Sequence, residues 1–123
     1  MPASLKPLLL AMRATTVVAL LLGIVVWTGR SVPWRNVHLA TGLLLGVLLL
    51  AIGFVVMRAS GRASALLFAI AWTAFLATFG IAHEGLWLGS THWVAQLLHL
   101  LTGLATLGIA EGLAARARRA ASA

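Results

Sequence analysis

The sequence predicts an all-α integral membrane protein, a four-helix bundle built from two tandem αα-hairpin repeats. Hydrophobic residues make up 62% of the 123 residues, charged residues only 9%, and the mean hydropathy is +1.05. Because so few polar side chains cannot cover a water-facing surface, most of the surface must contact lipid. Four long uncharged stretches and a histidine segment that occurs twice give the number of helices and their pairing.

The four helices follow from stretches that contain no Lys, Arg, Asp or Glu. These stretches are residues 14–29, 36–57, 63–82 and 85–110. A membrane span needs about 20 apolar residues, and the first stretch is shorter. Either the guanidinium of Arg13 reaches back to the headgroups, or residues 8–12 are drawn into the first helix. We therefore predict one domain, residues 1–123, with helices over about 8–29, 36–57, 63–84 and 91–114.

The basic residues predict the orientation of the bundle. Seven of the nine Lys and Arg lie at the end that holds the two termini and the second connection, and only Arg30 and Arg35 lie at the other end. By the positive-inside rule both termini face the cytoplasm, which in a bacterium means a multi-pass inner-membrane protein. The formal charge of +7 then reflects topology and anionic lipid, with no nucleic-acid partner. The absence of cysteine excludes disulfides and iron–sulfur clusters.

A six-residue segment occurs twice, as HLATGL at residues 38–43 and HLLTGL at residues 99–104. A Trp-x-Gly sequence precedes both copies, beginning at Trp27 and at Trp87. Such self-similarity indicates one structural unit used twice. The second and fourth helices run in the same direction, so the two histidines enter the membrane from the same side and lie at comparable depth. We expect their rings to face each other across the bundle.

A glycine lies one helical turn deeper than each histidine, on the same helix face. Gly42 follows His38 by four residues and Gly103 follows His99 by four residues. These glycines leave flat space beside the imidazoles, although small residues also let membrane helices pack closely without any further function. The threonine three residues after each histidine is expected to bond to a carbonyl of its own helix.

Two neutral imidazoles that face each other above flat space suit bis-axial ligation of a haem iron, with His38 and His99 as the metal ligands. In the motifs His38-x-x-x-Gly42 and His99-x-x-x-Gly103 the chain resembles the bacterial b-type four-helix membrane cytochromes, the small cytochrome b family. The resemblance implies a haem b that exchanges electrons between quinone or quinol and a periplasmic partner or a small oxidant.

The chain departs from the family at the positions of a second haem. Many members of the family carry a further histidine about four turns beyond each first one, but Ile52 and Leu113 stand fourteen residues beyond His38 and His99. We therefore expect one haem, near the outer face. A single haem there cannot carry electrons across the whole bilayer.

Other polar residues lie near the end of the bundle that faces away from the cytoplasm. Arg35 and Gln96 each precede a histidine by three residues, and Arg35 and Arg30 are expected to bind the carboxylates of a buried cofactor, because guanidinium groups form bidentate pairs with carboxylates. The alternative is that both arginines reach the headgroups. His92 lies on the same face as His99 and is expected to bond a haem propionate, relay a proton or bind quinone.

Alternative functions remain open at this level. His83, Glu84 and His92 have side chains that Zn²⁺ or Cu²⁺ accepts, so an outer-face metal site is one alternative. In another, the protein is a non-enzymatic membrane anchor or assembly subunit, and the repeat is only a packing solution. A homo-oligomer, a subunit of a larger membrane complex and a quinone-linked oxidoreductase are equally compatible with the sequence. Glu111, near the inner end, is expected to pair with one of three arginines: Arg58, Arg118 or Arg119.

Overall fold

A computed structural model describes residues 2–29, 32–86 and 89–122, and it confirms the all-α four-helix fold. The main helices are α1 (Leu5–Trp27), α2 (Val32–Ser60), α3 (Ser64–Ala82) and α4 (His92–Ser122). Two single-turn 3₁₀ helices, His83–Gly85 and Gly89–Thr91, lie between α3 and α4. No strand occurs among the described residues. All four long helices are apolar and long enough to cross a membrane.

The helices differ from the predicted bounds mainly at their ends. Helix α2 runs over 32–60 instead of 36–57, and α4 continues to Ser122 instead of ending near 114. An uncharged stretch marks only the part of a helix that can lie in hydrocarbon. The helix itself can continue into charged segments wherever the residues have high helix propensity. The Ala- and Arg-rich segment after residue 114 has strong helix formers, and Pro33 is tolerated because it stands in the first turn of α2.

Glycines in the left-handed region terminate the first two helices. Gly29 has φ 74° and follows α1, and Gly61 has φ 68° and follows α2. The Gly61 N–H donates to the carbonyl of Met57 at 2.8 Å, which satisfies one of the last carbonyls of the helix. These turns reverse the chain over a few residues, so successive helices are antiparallel.

Helix α2 packs against the other three helices, while α1 and α3 lie at opposite corners and make no close backbone approach within the described residues. One end of the bundle, which we call the histidine end, holds the end of α1 and the start of α2. The other, the terminal end, holds both termini and the turn from α2 to α3. The connected core fills the terminal half and reaches the middle of the bundle. Its buried residues are Leu5, Leu9, Met12, Ala19, Leu45, Leu49, Ile52, Val56, Ala65, Ala69, Leu76, Ala110, Leu113, Ala114 and Ala117.

Polar side-chain contacts also join the helices in and beside this core. Glu111 on α4 accepts a hydrogen bond from Nε of Arg13 on α1 at 2.7 Å, a partner that the sequence did not indicate. The expectation failed to include Arg13 because one sequence does not show which faces of α1 and α4 meet. In α3, the indole N–H of Trp72 donates to Oγ1 of Thr106 at 2.9 Å. Trp72 therefore ties α3 to α4.

Candidate cofactor site

His38 and His99 come together at the histidine end, as the repeat predicts. Their ring centroids are 5.8 Å apart, and the ring planes make an angle of 68°. Both residues are half-buried. The threonines of the repeat bond within their own helices, Thr41 to the His38 carbonyl at 2.7 Å and Thr102 to the Leu98 carbonyl at 2.8 Å. The threonines thus hold the helix backbone and leave the space between the rings to the histidines.

The Nδ1 atoms of His38 and His99 are buried and have no hydrogen-bond partner of acceptable geometry among the described residues. The carbonyl of Ala19 on α1 lies near the His38 ring and polarises it without completing such a bond. A buried polar atom left unpaired costs about 1–3 kcal/mol. Two of them at one place indicate a site whose polar groups are satisfied by something outside the chain.

Two cavities flank the histidine pair. The larger, about 470 Å³, lies between α1 and α4, with His38 and Gly42 of α2 in its wall. The smaller, about 210 Å³, lies between α2 and α3 and shares both histidines with the first. The larger cavity falls in the size range of small-molecule and cofactor sites. The packed core thus ends where the histidines begin, and the pair stands between two open spaces.

Each of the four helices contributes a glycine at the histidine level. No atom of the described residues lies within 4 Å of the place where a Cβ of Gly42 or Gly103 would stand, so the predicted flat space is present. A Cβ at Gly23 of α1 would lie 3.2 Å from Cε1 of His38, and one at Gly80 of α3 would lie 3.6 Å from Cε1 of His99. Gly23 and Gly80 are not predictable from the repeat, because it aligns only residues on α2 and α4.

His83 belongs to this site, in a way that the sequence did not indicate. Its ring stacks on that of His99, with centroids 4.2 Å apart and planes 7° apart. The lone pairs of an imidazole lie in the ring plane, so two parallel stacked rings cannot point at one metal ion. His83 is therefore a neighbour of a ligand position and does not act as a third ligand beside His99.

The alternative metal site of His83, Glu84 and His92 is not formed. No cluster of three metal-ligating side chains occurs within residues 2–29, 32–86 and 89–122. Glu84 is held by Arg35, and Nδ1 of His92 lies 3.2 Å from the Leu86 carbonyl. The side chains diverge because the 3₁₀ turn directs adjacent residues to different neighbours.

Arg35 and Glu84 form a bidentate ion pair at the mouth of the site. Nε of Arg35 donates to Oε1 of Glu84 at 2.9 Å, and Nη2 donates to Oε2 at 2.5 Å. The carboxylate of Glu84, a candidate ligand of the alternative metal site, is therefore bound to Arg35. Both cavities have Glu84 in their lining, while Gln96 and His92 line the larger one. Arg30, the other expected carboxylate-binding arginine, and Trp87 lie outside the described residues.

The separation of the His38 and His99 rings is that of two imidazoles on one metal ion. Imidazole–metal bonds are about 2 Å long, so two rings on one metal have centroids about 6 Å apart. The observed separation of 5.8 Å agrees with this value. Two ligands leave the plane between the rings free for a planar chelator. The chain matches no family model, and no curated protein or solved structure is significantly similar to it.

Proposed function

We propose that this protein is a membrane-bound b-type cytochrome that holds one haem b between His38 and His99 and passes single electrons. The observation that carries the proposal is the histidine pair itself. Its centroid separation suits one iron, its Nδ1 atoms are buried without partners, and it stands between two cavities. A bis-histidine haem supplies one-electron chemistry when it is bound.

The space around the pair supports a flat macrocycle in preference to a bare metal ion. A planar group between the two rings would extend toward α1 on one side and toward α3 on the other, which are the sides where the cavities lie. Glycines on all four helices leave that level without bulky side chains. A bare Zn²⁺ or Cu²⁺ ion would need a third or fourth protein ligand, and the stacked ring of His83 does not supply one.

The mouth of the site has groups that suit the haem carboxylates. Arg35 uses two of its five N–H donors on Glu84 and keeps others for a second carboxylate. Gln96 and His92, in the lining of the larger cavity, add polar contacts. Arg30 remains an expected carboxylate-binding residue on the same side of the membrane. These residues orient the cofactor with its polar edge toward water.

The residues in the terminal half of the bundle argue against a second haem. Ile52 and Leu113, at the positions where the related cytochromes carry second ligands, are 0% and 2% exposed within the packed core. Their apolar side chains offer no ligand atom to a second iron. The haem would therefore serve the outer face, where it would exchange electrons with membrane quinone, a periplasmic partner or a small oxidant. The charge asymmetry supports an inner-membrane location with both termini cytoplasmic.

The test is a reduced-minus-oxidised optical spectrum of the protein purified after expression with adequate haem. We expect a Soret band and a sharp alpha band, both lost in His38→Ala and in His99→Ala. His92→Ala is the matched control, because His92 also lines the cavity but its ring bonds the Leu86 carbonyl; it should keep both bands. A protein that binds no haem, or alanine variants that keep the full spectrum, would overturn the proposal and leave an anchor or assembly role.

A further inference from the structure

The two proposed ligands have unequal surroundings. The His38 ring lies against Gly23, which has no side chain, and its plane is inclined by 68° to that of His99, so the two rings do not stack. The His99 ring instead packs against two neighbouring rings. His83, in the 3₁₀ turn directly after α3, stacks on it at 4.2 Å, and the centroid of Phe79 in α3 lies 6.2 Å away at 40°. The orientation of His99 is therefore constrained from α3, whereas His38 has no such flat partner among the described residues.

His83 is itself held in place on α3. Its Nδ1 lies 2.8 Å from the carbonyl of Gly80, one turn earlier in the chain. Phe79 packs beside it with centroids 6.4 Å apart, and Phe75 stacks on Phe79 at 5.7 Å with planes 5° apart. The row of rings on α3 and the bond to the backbone together fix the plane of the His83 ring.

We infer that His83 is a positioning residue, which sets the ring plane of the axial ligand His99 by stacking on it. The inference rests on the proposed haem site. An axial imidazole donates π density to the iron in a direction set by its ring plane, so the angle between the two ligand planes determines the anisotropy of the ferric iron. His83 would act on that angle without touching the iron.

The experiment is electron paramagnetic resonance of the oxidised, haem-loaded protein. The parent should give one narrow low-spin signal. His83→Ala removes the stack, so the His99 ring can take several orientations, and the signal should broaden or shift in its g values. His83→Phe, which restores a flat partner, should return a narrow signal near that of the parent. If His83→Ala does not fold, His83→Leu fills the volume without a flat face and should give the same altered signal.

Haem titration provides a second measurement on the same variants. Loss of one aromatic stack should weaken haem binding by about threefold to tenfold in His83→Ala, while Phe68→Ala, which removes an exposed ring of α3 that lines neither cavity, should bind like the parent. A role limited to bundle stability would lower the unfolding midpoint and leave the resonance signal of the folded fraction unchanged. An unchanged signal in both His83→Ala and His83→Leu would overturn the positioning role and leave the haem proposal intact. A parent protein without haem would overturn the haem proposal first.

Discussion

Two glycines on α2 should respond in opposite directions to alanine, because one is packed and the other faces open space. At Gly53 a Cβ would stand 2.7 Å from Cβ of Ala69 and 3.2 Å from the carbonyl oxygen of Ala65. Carbon atoms normally approach to about 3.5–4.0 Å, so α2 and α3 would have to separate by about 1 Å. At Gly42 the same methyl group meets no atom of the described residues within 4 Å.

Two opposing energies, the overpacking cost and the gain in helix propensity, decide whether each substitution stabilises or destabilises the protein. Overpacking of this kind costs about 1–3 kcal/mol, while replacing glycine by alanine within a helix gains about 1 kcal/mol. The atoms that the new methyl group meets at Gly53 are a Cβ and a backbone oxygen, which cannot swing aside, so the overpacking cost should lie at about 2–3 kcal/mol. Gly53→Ala should therefore lower the free energy of unfolding by a net of about 1–2 kcal/mol. Gly42→Ala should raise it by up to about 1 kcal/mol in the haem-free protein, and should weaken haem binding because its methyl enters the space beside His38.

The measurement is reversible unfolding in detergent micelles, followed by circular dichroism. Adding Ala69→Gly to Gly53→Ala removes the opposing methyl group and should restore most of the lost stability. If Gly53→Ala were as stable as the parent, the close packing of α2 on α3 would be wrong. A destabilised Gly42→Ala would show that the space beside His38 is filled by the protein itself.

Three further predictions concern the site, the α3–α4 contact and the orientation of the bundle in the membrane. Gly103→Leu should block the larger cavity and abolish haem binding, while Gly108→Leu, on an exposed face of α4, should bind haem normally; equal binding in both would refute the cavity assignment. Trp72→Phe removes the hydrogen bond to its threonine partner on α4 and should cost about 1 kcal/mol in the unfolding assay; an unchanged midpoint would contradict that contact. Because the chain has no cysteine, a membrane-impermeant maleimide applied to intact cells should label Ser90→Cys and leave Ala59→Cys unlabelled, and the reverse pattern would invert the proposed topology.

The sequence was sufficient for the helices and for the central pair. Composition and uncharged stretches predicted four helices, and the repeat predicted that His38 and His99 would meet at one level. Both predictions depend on regularities that a single chain displays directly, namely hydropathy and self-similarity. The helix ends were less predictable because a polar, Ala-rich segment such as the end of α4 stays helical outside hydrocarbon.

Lateral contacts between helices were not predictable from the sequence. Which face of α1 meets α4 decides that Arg13 binds Glu111, and which face of α3 meets α4 decides that His83 stacks on His99. Helices that are apolar on all sides carry no pattern that marks the inward face. Gly23 could not be predicted for the same reason, because its role depends on where a histidine of the neighbouring helix lies.

The most direct test of the account is an anomalous difference map from crystals of the haem-loaded protein, collected at the iron absorption edge. We expect a single iron peak per chain, between the rings of His38 and His99, with the macrocycle extending into both flanking cavities. An iron peak elsewhere in the bundle, or rings of His38 and His99 turned away from the iron, would contradict the account.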